Sequence, residues 1–238
     1  MHLKHGLRRF FWKIADSRLL RRMEPAELYR LWEENHLRRL LAHFNVDCVF
    51  DVGANLGQYA QMLRQQAKYK GLIVSFEPMP NAARSLRERA AGDKKWIVLE
   101  QALSAQDGQQ TFNITRGSQS SSLSTPISYV LAAFPKNRKV KESIIVETKT
   151  LTTAYNQLKL EYDFNRPFLK LDTQGYDTEI VRPAQSVMHH FIGLQSEMAI
   201  KRLYENSIDF RDALALYEEC GFELSALVPN NAGFFPRL

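Results

Sequence analysis

A chain of 238 residues, 45% hydrophobic and 24% charged, can bury one sizeable core and has the composition of a globular protein rather than a disordered or fibrous one. No apolar run approaches the roughly 18 residues that a bilayer span needs, and two cysteines, Cys48 and Cys220, are too few for a disulfide framework or a cysteine-rich zinc site. Five of the six net positive charges sit in the first 45 residues, where ten Lys/Arg face five Asp/Glu; the rest carries twenty-two against twenty-one, which weighs against nucleic acid as a partner of the core domain.

The N-terminus lacks the uninterrupted apolar core of a signal peptide, so the expected location is the cytoplasm. Leu3, Leu7, Phe10, Phe11 and Ile14 fall at helical spacing among Arg and Lys. This predicts a basic amphipathic helix whose apolar stripe packs on its own domain, or alternatively meets a membrane surface or a partner protein. "PAELYRLWEENHLRRLLAHF" predicts a second helix. Residues 1–45 therefore read as a helical extension, and 46–238 as the main domain.

From Val46 the pattern changes to short apolar runs separated by helices. "CVFDVG" is the first strand, and "QYAQMLRQQAKYKG" a helix ending near Gly71. "LIVSFEP" is the second strand, Pro80 opens the next helix, and "WIVLEQALS" is the third strand. The alternation then breaks. "TFNIT" and "IIVETKT" have period-two character and flank the Ser-rich patch at 118–124, which predicts a hairpin or excursion over about 105–150. "FLKLD" resumes the core strands, followed by a helix around Thr178–His190 and the strand "FIGLQSEM". "DFRDALALYEECG" is the last helix and "FELSALVP" the last visible strand. Cys48 and Cys220 read as packing thiols, and His189 and His190 as surface residues.

Strands alternating with helices imply a mostly parallel, doubly wound α/β sheet covered on both faces. Ligands bind such sheets beyond the carboxyl ends of the strands. "FDVGANLGQYA" lies there, with Gly53 and Gly57 where the first strand turns into its helix. It lacks the close glycine pair of the dinucleotide pattern G-x-G-x-x-G and adds an acid, Asp51. An acid suits a positively charged amine better than a phosphate. Glu77, ending the second strand, can accept both hydrogen bonds of a ribose diol. Amine and ribose together describe S-adenosylmethionine better than NAD.

"VFDVGANLGQYA", "FEPMPNAARSL", "LEQALSAQDGQQTF", "FLKLDTQGYDTEIV" and "IGLQSEMAIKRLYENS" together resemble the FkbM family of S-adenosylmethionine-dependent methyltransferases, from about Val49 onward. The resemblance implies the Rossmann-like class I methyltransferase fold, whose seven-stranded sheet has one antiparallel strand near its edge. It implies that Asp51, Gly53, Asn55 and Gly57 surround the methionine part of the cofactor. Glu77 would hold the ribose, and Gln101 and Ala102 would lie beside the adenine. It also implies a hydroxylated small acceptor, a sugar or other metabolite, with a Ser-rich segment over the acceptor site. Family members usually continue past "NNAGFFPRL" into one more strand, so the final antiparallel strand is expected to be missing or truncated.

Methyl transfer to an alcohol needs alignment, exclusion of water and a base for the hydroxyl proton. Asp172 and Glu197, each ending a core strand, are the candidates, one as base and the other orienting the acceptor. A lesser alternative is that the pair holds a divalent metal; no third ligand is evident and none is assigned. Alternatively, Asp172 caps the following turn and Glu197 pairs with a base such as Lys201. Lys170 remains without a role. The rival readings are a nucleoside-binding module without turnover and an NAD-dependent oxidoreductase.

Overall fold

The computed structural model describes residues 24–115, 122–124, 140–200, 202, 204 and 207–229. The N-terminal helix expected at residues 3–14, most of the Ser-rich patch and Lys201 lie outside the described residues. Among the described residues no helix is long and apolar enough to cross a membrane.

A helix, α1 (Pro25–His43), precedes the alternating unit. Then follow β1 (Cys48–Val52), α2 (Gln58–Gln65), β2 (Leu72–Phe76), α3 (Pro80–Ala90) and β3 (Trp96–Leu99). The excursion comprises β4 (Ala102–Leu103), β5 (Gly108–Thr115) and β6 (Val140–Lys149). The second half holds α4 (Leu151–Glu161), β7 (Pro167–Leu171), α5 (Asp177–Val181), α6 (Gln185–Met188), β8 (Gly193–Ser196) and α7 (Phe210–Glu219).

The main sheet has the order β3-β2-β1-β7-β8, and every pairing in it is parallel. β1 lies at the centre, and all five of its residues are buried. Two cores cover the sheet because strand side chains alternate between faces. On one face Phe50, Phe76, Leu169 and Leu171 meet α4, α5, α6 and α7; Phe50 packs against Phe76, Phe164 and Phe191 at centroid distances of 5.8, 5.7 and 5.4 Å. On the other face Val49, Ile73 and Phe168 meet Leu63 of α2, Leu86 of α3, and Leu37 and Leu41 of α1. This is the doubly wound, Rossmann-like α/β arrangement expected from the alternation. The strand order reverses at β1, with β2 added on one side and β7 on the other while all strands stay parallel, and that switch point opens a crevice above the carboxyl ends.

Several boundaries differ from the sequence reading. "WIVLEQALS" forms two strands: β3 ends at Leu99, and β4 leaves the main sheet to pair with β6 in a three-stranded sheet of order β4-β6-β5. β5 and β6 are the expected antiparallel hairpin. α2 stops at Gln65, well before Gly71, and Lys68 sits in the left-handed region at φ 56°. The helix expected around Thr178–His190 is broken by a 3₁₀ turn, Arg182–Ala184, whose Pro183 lacks the N–H that a continuous helix needs. α4 was not anticipated; Thr150 caps it by accepting from the Thr153 N–H at 3.1 Å.

"FELSALVP" is not a strand. Residues 222–229 run without regular structure beside α1, where Ser225 Oγ and His36 Nε2 are 3.3 Å apart, and Leu224 and Leu227 are exposed. The family's antiparallel edge strand does not appear among the described residues, and β8 ends the sheet there. Cys48 is buried, and Cys220 is half-buried against the core. His189 and His190 are exposed, the latter stacked on Tyr155 at 5.0 Å.

Candidate active site

The loop after β1 approaches two strands at once. Gly53 and Ala54 donate backbone N–H bonds to the Phe76 carbonyl at 3.1 and 3.0 Å. Asp172 donates its backbone N–H to Val52 at 3.1 Å. Gly53 has φ 75°, and a Cβ there would collide with the Asp172 carbonyl oxygen. Gly57, at φ 84°, would drive a Cβ into Leu86 and Trp96. Both glycines are therefore demanded by chain conformation and packing, and only Gly53 faces the crevice; Gly57 is buried behind it. Asn55 lies between them at φ 49°, lining the crevice, with its Oδ1 enclosed and unpartnered.

Glu77 is 3% exposed. Its Oε2 accepts from the Asn55 N–H at 2.7 Å and its Oε1 from the Met79 N–H at 2.9 Å. Burial pushes the carboxyl up to about 7, against the lowering effect of those two N–H donors. Each oxygen keeps a lone pair for a further donor. Beside it Met79, Ala102, Phe112 and Leu123 form an apolar wall, part of a small cluster with Val146 and Ile144.

Asp51 does not face the crevice. It is wholly buried, and Ser75, Asp51, Lys170 and Gln195 are register partners across β2, β1, β7 and β8. Their side chains form a polar row on the α1–α2 face. Trp96 Nε1 donates to Ser75 Oγ at 3.0 Å, and Ser75 Oγ to Asp51 Oδ2 at 3.1 Å. Lys170 Nζ lies 2.9 Å from Asp51 Oδ1 and 3.9 Å from Asp172 Oδ2. It also donates to the carbonyls of Val52 and Gly53, both at 3.3 Å. Burial works to lower the Lys170 ammonium, but the carboxylates of Asp51, Asp172 and Asp177 together outweigh it and the net shift is upward. The row ends where Tyr59 donates to Gln195 Oε1 at 2.7 Å and Gln195 Nε2 donates to Glu33 of α1 at 2.6 Å. The expectation that Asp51 meets a ligand amine directly is thus corrected: its charge is spent on Lys170.

Gln101 is also displaced. The turn from β3 into β4 carries it to a separate recess beside Lys149 and Gln157, while Ala102 stays at the crevice.

Asp172 and Glu197 are linked by a residue the sequence did not single out. Gln174 Nε2 donates to Asp172 Oδ1 at 2.9 Å and to Glu197 Oε2 at 3.2 Å. Asp177, at the start of α5, anchors the loop from below. It accepts from the Thr173 N–H (2.9 Å), the Thr173 hydroxyl, Ser196 Oγ (2.7 Å) and the Glu197 N–H (3.2 Å). Burial raises its carboxyl, with the Thr173 and Ser196 bonds opposing. Ser122 Oγ donates to the carbonyls of Thr173 (2.8 Å) and Gln174 (3.3 Å), so the one described piece of the Ser-rich patch lies against this loop.

Lys170 had a usable signal, a lone charge inside an otherwise apolar strand. Asp177 and Gln174 had none, because each works through partners distant in sequence.

Residues 51–224 match the sequence model of the family described as Methyltransferase FkbM domain. No curated protein matches. Eleven chains of solved structures do. One is the crystal structure of methyltransferase FkbM from Methylobacillus flagellatus KT, at 12% identity and a TM-score of 0.38, covering 61% of this chain and 31% of that one. The chain thus spans about a third of that protein's length. The family match covers most of the chain and carries both loops of the crevice, from Asp51 through Asp172 and Gln174 to Glu197. The chain belongs to the FkbM methyltransferase domain family.

Proposed function

We propose that the protein is an S-adenosylmethionine-dependent O-methyltransferase acting on a hydroxylated small acceptor of the sugar type. The observation that carries the reading is Glu77, a buried acid with spare lone pairs. It faces the same crevice as Gly53, Asn55 and Asp172. A ribose diol supplies the two donors that such a carboxylate lacks. The apolar wall of Met79, Ala102, Phe112 and Leu123 suits a purine face. The unpartnered Asn55 Oδ1 suits an ammonium or hydroxyl donor, and this replaces Asp51 as the group that meets the methionine end.

Bound there, the cofactor supplies a methyl carbon made electrophilic by its positively charged sulfur. The residues do the rest. Glu77 and the loop after β1 fix the donor's orientation. Asp172, at the end of β7 beside β1, is the group that would take the acceptor's hydroxyl proton. Glu197 holds a neighbouring group of the acceptor. The segment at 122–124 screens the loop from water. Alignment and water exclusion are what the fold contributes to such a displacement.

Calorimetric titration with S-adenosylmethionine, S-adenosylhomocysteine and NAD tests the donor. Micromolar binding of the first two and none of NAD is expected, with affinity reduced at least tenfold in Glu77→Ala. Binding of NAD alone would restore the oxidoreductase reading. A panel of sugars and other alcohols with methyl-labelled donor tests transfer. Donor binding without label transfer to any of them favours a nucleoside-binding module without turnover.

A further inference from the structure

Gln174 has φ 55°, in the left-handed region where a side chain costs roughly 1–2 kcal/mol. Glycine would sit there without that cost. The long side chain is kept, and every hydrogen-bonding group on it is used. Nε2 donates to Asp172 and Glu197 at 2.9 and 3.2 Å, and Oε1 accepts from the Tyr204 hydroxyl at 3.2 Å. Tyr204 is itself buried, its ring packed where a Cβ on Gly175 would fall. The two acceptors of one nitrogen at these distances lie at most about 6 Å apart. A carboxamide is the neutral side chain able to donate to two acids and accept from a phenol at once.

We infer that Gln174 is the positioning residue of the acceptor site, a neutral clamp that holds Asp172 and Glu197 side by side. The inference rests on the proposed role of Asp172 as proton acceptor. Gln174 engages one oxygen of each acid, Oδ1 of Asp172 and Oε2 of Glu197, and the other Asp172 oxygen lies 3.9 Å from Lys170 Nζ. Charged groups flank the loop: Lys170 of β7 lies 3.9 Å from Asp172 Oδ2 and pairs with Asp51 of β1, and Asp177 of α5 accepts from the Thr173 N–H; Glu77 and the Tyr59 side chain of α2 line the same crevice. Gln174 stands among these acids and the Lys170 cation as a neutral side chain.

Two variants test this. Gln174→Gly removes the clamp and relieves the backbone. Its unfolding midpoint should equal or exceed the wild type's, while kcat falls at least tenfold and the Kd for S-adenosylmethionine stays within twofold. Gln174→Glu keeps the shape but turns the donor into a third carboxylate. Its kcat relative to wild type should fall at least tenfold at pH 8 and recover toward pH 6, as the new carboxyl regains a proton and donates again. Three carboxylates converging should also bind Mn²⁺ at least tenfold more tightly than the wild type, whether or not any acceptor is methylated. Wild-type kcat in either variant, a loss in Gln174→Glu that is the same at all pH values, or unchanged Mn²⁺ affinity would overturn the clamp. A matching loss of stability and donor binding in Gln174→Gly would make it a loop-folding residue instead. Absence of methyl transfer by the wild type would sink the proposed function, and the Mn²⁺ comparison would still decide whether the three side chains converge.

Discussion

Replacing Lys170 by methionine leaves Asp51 with a charge and no cation. The carboxylate is wholly buried, and the Lys170 side chain is only 8% exposed, so the pair at 2.9 Å is almost completely removed from water. Breaking such a pair by deleting one member costs about 3–5 kcal/mol, because the remaining charge keeps its desolvation penalty. Loss of the two carbonyl contacts at 3.3 Å puts Lys170→Met toward the upper end. For a domain of this size each kcal/mol moves Tm by about 2–4 °C, so a fall of roughly 6–20 °C is expected. Asp51→Asn/Lys170→Met removes both charges and leaves Ser75 donating to the amide oxygen. It should recover to within about 2 kcal/mol of wild type, a coupling of at least about 2 kcal/mol between sites in direct contact. Urea unfolding at pH 7.5, followed by far-UV circular dichroism with m-values compared, measures all four members of the cycle. Single losses that simply add, or a Lys170→Met cost below about 1 kcal/mol, would refute the buried pair as the keystone of the β1–β7 junction.

Glu77 titrates higher in the fold (about 7) than in the unfolded chain (4.5), so what it contributes to stability is fully present below pH 4.5 and lost as pH rises through about 7. The unfolding free energy of wild type relative to Glu77→Gln should therefore fall by about 2–3 kcal/mol between pH 5 and 8; a flat or rising difference contradicts the burial of this acid. Gly53→Ala meets the Asp172 carbonyl at φ 75° and should cost more than about 3 kcal/mol, whereas Gly108→Ala, at φ 136° with open space around it, should cost about 1, the conformational part alone. Equal urea midpoints for these two variants would show that the close approach is not limiting. Ser122→Ala removes a hydroxyl worth about 1 kcal/mol that ties residues 122–124 to the carbonyls of Thr173 and Gln174. Acceptor KM should rise about fivefold with the donor Kd unchanged, and an unchanged KM would separate the Ser-rich segment from the acceptor site.

The sequence by itself determined the order and kind of the core elements, because β1, β2 and β7 are buried on both faces and so read as unbroken apolar runs, while α3 and α7 carry helical periodicity. It also determined that Glu77, Asp172 and Glu197 stand at strand ends, where a parallel sheet opens its crevice. What it left undecided were contacts made across the sheet. Asp51 and Gln101 looked like ligand contacts because strand-end position is a property of the chain. The direction of Asp51's side chain depends on Lys170, a register partner well over a hundred residues away, and that of Gln101 on the jog by which β4 leaves the main sheet. Gly57 carried a binding signature in sequence and proved to be required by Leu86 and Trp96. The clamp of Gln174 on Asp172 and Glu197, and the anchoring of both loops on Asp177, exist only once β7 and β8 lie side by side. Local patterns record which face a residue must bury. Pairing between side chains brought together from distant segments is decided by tertiary packing, which leaves no periodic trace in the chain.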